Sequence, residues 1–256
     1  MPKTRFKSFI ICTSPRSGST LLCKLLSATE ISGYPNSYFH NPSLSSWLKS
    51  FNLSNNDFTS SREALRAIFA AARNKGTGKT EIFGLRLQRG SFDFFMEQIG
   101  VLYPDIHGDQ NRVQAAFGQT LFIHLTRENK LNQAISCVKA QQTGLWHMAA
   151  DGTELERLSA PKKPFYNAAE IERHIIEFTE YDVAWNAWFS QQSLEPLRIT
   201  YNELSDSPAE VLANILERLG LDRKTAYGIS PPVAKLADGI NRNWEKRFRA
   251  GLDTTQ

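Results

Sequence analysis

Cysteines are few in this sequence, long apolar runs are missing, and neither charge sign dominates. Three cysteines in 256 residues, Cys12, Cys23 and Cys137, stand at no metal-binding spacing. Their odd number excludes a complete disulfide framework, and reduced thiols are expected. Cys12 lies in an apolar stretch and reads as a small core residue. Nothing approaches the roughly 20 apolar residues of a membrane helix. The basic Lys3, Arg5 and Lys7 precede an apolar run, Phe9 to Cys12, too short for a signal peptide, so a cytoplasmic protein with no transmembrane segment is expected. The net charge of +4 is too small to point to nucleic acid, yet it suits an anionic ligand. No cluster of Asp, Glu and His demands a metal. There is no internal repeat and no low-complexity tract.

The remaining composition is that of a globular protein, 41% hydrophobic and 22% charged. Candidate strands alternate with candidate helices, which predicts an α/β fold with a central, mainly parallel sheet flanked by helices. Strands are expected at Phe9–Cys12, Glu81–Leu87, Leu121–Leu125 and Pro196–Tyr201. Helices are expected at Ser19–Ala28, Leu65–Ala72, Phe92–Leu102, 131–142 and Ala168–Gln191, and from Ser207-Pro208 to Gly220, each with apolar residues at helical spacing. Residues 145–167 read as a long polar loop, and 233–250 as a basic helical tail. The whole, 1–256, reads as one domain.

The first candidate site lies where a buried strand turns into a helix, at Ser14-Pro15-Arg16-Ser17-Gly18-Ser19-Thr20. The first N–H groups of a helix lack internal partners and carry positive potential, so an anion binds there readily. Gly18 lets the backbone approach a ligand, the hydroxyls of Ser17, Ser19 and Thr20 can donate, and Arg16 adds a charged fork. The motif is not a Walker A loop, because no lysine precedes Ser19 or Thr20. Gly76-Thr77-Gly78-Lys79-Thr80 imitates the end of one, but Arg73 occupies the place of its first glycine. A flexible loop is expected there.

Further segments carry a family resemblance. Arg127 at the end of the third strand and Ser136 nine residues later resemble the 3′-phosphate-binding signature of sulfotransferases. Gly33-to-Phe39, Gln142-to-His147, Trp185-to-Phe189, Glu195-to-Leu204 and Asn241-to-Phe248 resemble, in order, the bacterial trehalose 2-sulfotransferase and lipopolysaccharide-type sulfotransferase family. The resemblance implies a P-loop-like three-layer fold and the donor 3′-phosphoadenosine-5′-phosphosulfate. It further implies a carbohydrate or glycolipid acceptor, no metal and a homodimer. Ser14 to Thr20, Arg127 and Ser136 would hold the donor. Ser37, Tyr38, Phe39 and Trp146 would line the acceptor.

Sulfuryl transfer resembles phosphoryl transfer, in which positioning and charge stabilisation do most of the work. Arg16 is expected to stabilise the leaving phosphate. Where the family's pattern carries a glutamate base, this chain has Ser37, which takes no proton near neutral pH. The base is therefore expected at His40 or His147, with His124 a core residue. The residues by themselves leave open a P-loop-like kinase or a non-catalytic nucleotide-binding relative.

Overall fold

The computed structural model describes residues 6–149, 151–230 and 238–253. Four parallel strands form the central sheet: β1 (Ser8–Thr13), β2 (Phe83–Gln88), β3 (Thr120–Thr126) and β6 (Leu197–Thr200), in the order β2-β1-β3-β6. β1 lies in the middle, and all six of its residues are buried. It pairs Thr13 with Gln88 on one side and with Leu125 on the other.

The period of two along β1 sends its side chains into two separate cores. Ile10 and Cys12 enter a core rich in aromatic rings. It is closed by α3 (Ser61–Thr77), α4 (Arg89–Leu102), α5 (Asp109–Phe117) and α7 (Ala168–Gln191). Phe9 and Ile11 enter the opposite core, under α1 (Ser19–Ala28) and α9 (Pro208–Arg218). Leu22, Leu25 and Leu26 of α1 are fully buried there, each worth about 1.5–3 kcal/mol of transfer free energy. The result is a three-layer arrangement with both sheet faces covered, as a parallel sheet requires. α6 (Lys130–Thr143) and α10 (Gly239–Asp253) share a smaller apolar cluster with α7, in which Trp244 and Phe248 meet Ile135 and Val138.

α1 and α7 occupy the spans expected from the sequence. Two expectations need correction. Residues 145–157 are not a loop: β4 (Leu145–Met148) and β5 (Glu154–Arg157) pair as an antiparallel hairpin with an irregular register. The glycine cluster at 76–80 is not a free loop either. α3 continues through Gly76 and Thr77, and Gly78, at φ 55°, caps it. Gly76 O also accepts from Tyr34 N–H at 2.7 Å. The helical tail is described from Gly239 onward; residues 233–237 lie outside the described residues. Among the described residues no helix is long and apolar enough to cross a membrane.

Candidate active site

The C-terminal ends of β1, β2 and β3 open on a cavity of about 500 Å³, the usual place for a ligand in a parallel sheet. The loop from Ser14 to Gly18 forms its floor. Thr13 Oγ1 donates to Leu125 O at 2.9 Å, so the Ser17 hydroxyl closes on Thr13 at 2.5 Å. Gln133 Nε2 donates to Ser14 Oγ at 2.9 Å and to Pro15 O at 2.6 Å. The Ser14 and Ser17 side chains are completely buried. This corrects their expected role: their hydroxyls brace the loop from behind. Arg16 (φ 61°) and Gly18 (φ 91°) both take left-handed backbone conformations, which turn the chain sharply into α1. Gly18 caps α1 without a side chain, leaving the first N–H groups of the helix available to a ligand.

Arg16 projects along the cavity. Its Nε donates to Ser136 Oγ at 3.0 Å and its Nη1 to Trp146 O at 2.6 Å, with the guanidinium 5.9 Å from the Trp146 ring centre. Burial lowers its proton affinity, with neighbouring Arg127 adding to the effect and Cys137, Tyr201 and Glu156 opposing it. Arg127 lies over Tyr201, with its Cζ 4.3 Å from the ring centre, and donates to Arg16 O at 3.2 Å. The residues singled out for the 3′-phosphate thus face the same cavity as the loop, with Ser136 engaged by Arg16.

The other half of the cavity is organised around Arg86, at the end of β2. Its Nε donates to Ser37 Oγ at 2.7 Å and its Nη1 to Thr20 Oγ1 at 2.7 Å. Arginine can only donate, so Thr20 Oγ1 accepts there. Thr20 is also hydrogen-bonded to His147 Nε2 at 2.9 Å. Burial, then Arg16, Arg86 and Lys24, pushes His147 down to about 3, so its ring is neutral near pH 7. Glu156, on the paired strand of the hairpin, brings Oε2 to 3.5 Å from the same Nε2. His40 is more exposed. It is also lowered, by desolvation first and Arg86 second, while Glu156 acts against the shift.

Two expected acceptor contacts do not hold. Phe39 is 1% exposed and packs against Trp47, Phe69 and Phe95 in the aromatic core, where no sugar reaches it. Tyr38 lies against Phe51 and Phe83, and its hydroxyl donates to Tyr34 O at 2.7 Å. Ser37 faces the cavity, while its aromatic neighbours pack against the core. His124 is buried, with Arg198 at 3.2 Å from its Nδ1, as a core residue would be. Arg86, Tyr201 and Glu156 were missed. A charged residue inside the apolar strand at 81–87 was a usable sign for Arg86, whereas nothing local marks Glu156. A smaller cavity of about 240 Å³ lies at the opposite end of β3, beside Thr120, with no converging cations.

The family model described as Stf0 sulphotransferase matches residues 8–251. The chain is 25% identical to the trehalose 2-sulfotransferase of Mycolicibacterium smegmatis (strain ATCC 700084 / mc(2)155), over 94% of each chain. It is also 25% identical to the trehalose 2-sulfotransferase of Mycobacterium tuberculosis (strain ATCC 35801 / TMC 107 / Erdman), over 95% of each. Among solved structures, the sulfotransferase domain from the Synechococcus PCC 7002 olefin synthase has a TM-score of 0.44 at 16% identity, covering 95% of this chain and 86% of that one.

Proposed function

We propose, for a chain that belongs to the Stf0 sulphotransferase family, that it moves a sulfuryl group from 3′-phosphoadenosine-5′-phosphosulfate to a carbohydrate hydroxyl. The observation that carries this is the convergence of Arg16, Arg127, Ser136 and the uncapped start of α1 on one cavity. Such a cradle of fixed donors suits a doubly phosphorylated nucleotide. When bound, that donor supplies an electrophilic sulfur and a phosphate leaving group.

Each part of the cavity then has a task. Arg16 and the first N–H groups of α1 neutralise charge growing on the 5′-phosphate, where preorganised donors act most strongly. Arg127 and Ser136 hold the 3′-phosphate, with Arg127 kept in place by the Tyr201 ring. Arg86 bridges the loop at Thr20 and the acceptor segment at Ser37, so it can hold the two substrates in register. Trp146 offers a ring at the cavity wall, and Ser37, His40 and His147 line the acceptor side. A sugar or the head of a glycolipid fits that mixture of hydroxyl, imidazole and indole. No metal is invoked: the transferring group carries less charge than a phosphoryl group. Buried free thiols at Cys12, Cys23 and Cys137 favour a cytoplasmic setting, and the family favours a homodimer.

The test is label transfer from radioactive donor to trehalose, glucose and a glycolipid panel, with and without EDTA. Labelled product that survives EDTA is expected; loss of activity on chelation, restored by magnesium, would favour a kinase-like mechanism. Independently, calorimetry should show 3′-phosphoadenosine-5′-phosphate binding ~10- to 150-fold more tightly than 5′-AMP. That is the worth of one charge-assisted contact set, about 1.5–3 kcal/mol. Equal affinity for the two nucleotides would remove Arg127 and Ser136 from the donor site.

A further inference from the structure

The cavity holds one group that the reaction has not yet used. Three carboxylates line it: Glu156, Asp238 and Glu245. Two of them are already engaged. Lys139 Nζ binds Asp238 at 2.7 Å, and backbone N–H groups of Ile240 and Asn241 donate to it as well. Arg249 Nη2 binds Glu245 at 2.9 Å. Glu156 has no lysine or arginine partner among the described residues. Its nearest titratable neighbour is His147, at 3.5 Å. With only His147 Nε2 beside it and its side chain 45% exposed, the Glu156 carboxylate keeps oxygen lone pairs that can accept a proton.

We infer that Glu156 is the general base of the transfer, with His147 as the residue that positions it and Thr20. This rests on the sulfotransferase reading above. Geometry separates Glu156 from a Ser-His-Asp type of relay. In a relay the carboxylate holds the ring nitrogen opposite the hydroxyl, whereas here Glu156 and Thr20 both approach Nε2. The imidazole therefore cannot pass a proton through its ring from Thr20 to Glu156. It is a poor base itself: Arg16, Arg86 and Lys24 all disfavour its charged form, on top of burial. His40 is disfavoured as a cation by burial first and Arg86 second, with Glu156 acting against the shift. Besides the two imidazoles, Glu156 feels Arg16 across the cavity. Its own strand contributes Glu154 and Arg157, which are paired with each other.

The step balances without an added reagent. The acceptor oxygen forms a bond to sulfur while its proton passes to a Glu156 carboxylate oxygen. The bond between sulfur and the bridging oxygen breaks, and its electron pair leaves on the 5′-phosphate. Glu156 then returns its proton to solvent through the open side of the cavity, where its side chain is 45% exposed.

The experiment compares Glu156→Gln, Glu156→Asp, His40→Asn and His147→Asn in three readouts. These are 3′-phosphoadenosine-5′-phosphate binding by calorimetry, label transfer to the best sugar of the panel, and slow donor hydrolysis with water as acceptor. Glu156→Gln should lower kcat for transfer and hydrolysis by roughly 10²- to 10⁴-fold. Nucleotide affinity should be unchanged, and the acid limb of the kcat/KM profile should disappear. Glu156→Asp should recover part of the rate. Both histidine variants should retain the acid limb. A Glu156→Gln enzyme with a near-normal rate and an unaltered pH profile overturns the inference while leaving the sulfotransferase reading intact. A wild-type protein that binds nucleotide but neither transfers nor hydrolyses overturns both. Loss of nucleotide binding in Glu156→Gln would make the residue part of the donor site and also overturn the assignment.

Discussion

The two walls of the cavity are built on opposite principles. On the donor wall, the hydroxyls of Thr13, Ser14 and Ser17 are buried and partnered from below, by Leu125 O, Gln133 and Thr13 in turn, and Trp185 Nε1 donates to Thr13 O at 3.1 Å. On the hairpin wall, from Leu145 to Arg157, none of the described residues is fully buried, Leu155 is 42% exposed, and the strand register is irregular. One wall is a loop braced from behind and the other an exposed ribbon that brings Trp146, His147 and Glu156 to the cavity. On the proposed reading, the braced wall takes the nucleotide donor. The ribbon can change residues at little cost in stability, and on the same reading it faces the acceptor.

Breaking the donor wall at its charge should have the largest effect. Arg16→Ala should lower kcat by about 10²- to 10³-fold, the usual cost of one preorganised donor to developing charge. Donor binding should fall less, since leaving-group charge grows in the transition state. Steady-state kinetics that show a changed KM with intact kcat would make Arg16 a binding residue only.

Acid should strain the hairpin wall more than the donor floor. His147 is held near 3 in the folded protein and about 6.5 when unfolded, so the unfolded chain binds the extra proton between those values. The stability due to its neutral form is complete above about pH 6.5 and declines as pH falls toward 3. By pH 4.5 the loss should be on the order of 3 kcal/mol at most. His124, lowered to about 4 by burial, Arg198 and Lys130, adds a loss of the same sign. Urea midpoints at pH 7 and 4.5 for wild type and His147→Asn measure it. Equal losses in both proteins would show that His147 carries none of the effect.

Gly18→Ala probes the donor floor more gently. Its φ of 91° disfavours any side chain, and an added Cβ would come within 2.8 Å of Tyr201 Cδ2, part of the ring that supports Arg127. A loss of about 1–2 kcal/mol is expected from the backbone alone. It should appear in urea unfolding and in weaker nucleotide binding together. The matching change on the hairpin, Glu154→Gln, removes an exposed pair with Arg157 and should leave the melting temperature within experimental error. If Glu154→Gln were the more damaging of the two, the contrast between the walls would be wrong.

The sequence by itself determined the parallel sheet, the loop between β1 and α1, the spans of α1 and α7, and the family. Each depends on local pattern: an apolar run, a cap, a period of 3.6, or a motif in fixed order. Arg16, Arg127 and Ser136, singled out in the sequence, line one cavity, since strand ends in a parallel sheet converge. Tertiary structure alone decided the rest. Ser14 and Ser17 turn inward because Thr13 and Gln133 wait behind them, which no spacing reveals. Tyr38 and Phe39 look like sugar platforms in sequence, but the aromatic core beneath the sheet claims both rings. Residues 145–157 lack a strong strand pattern, being half exposed on an irregular hairpin, so they read as a loop. Glu156 therefore carried no sign of the role inferred for it. Only the pairing of β5 with β4 brings its carboxylate beside His147, and such long-range pairing leaves no local signature.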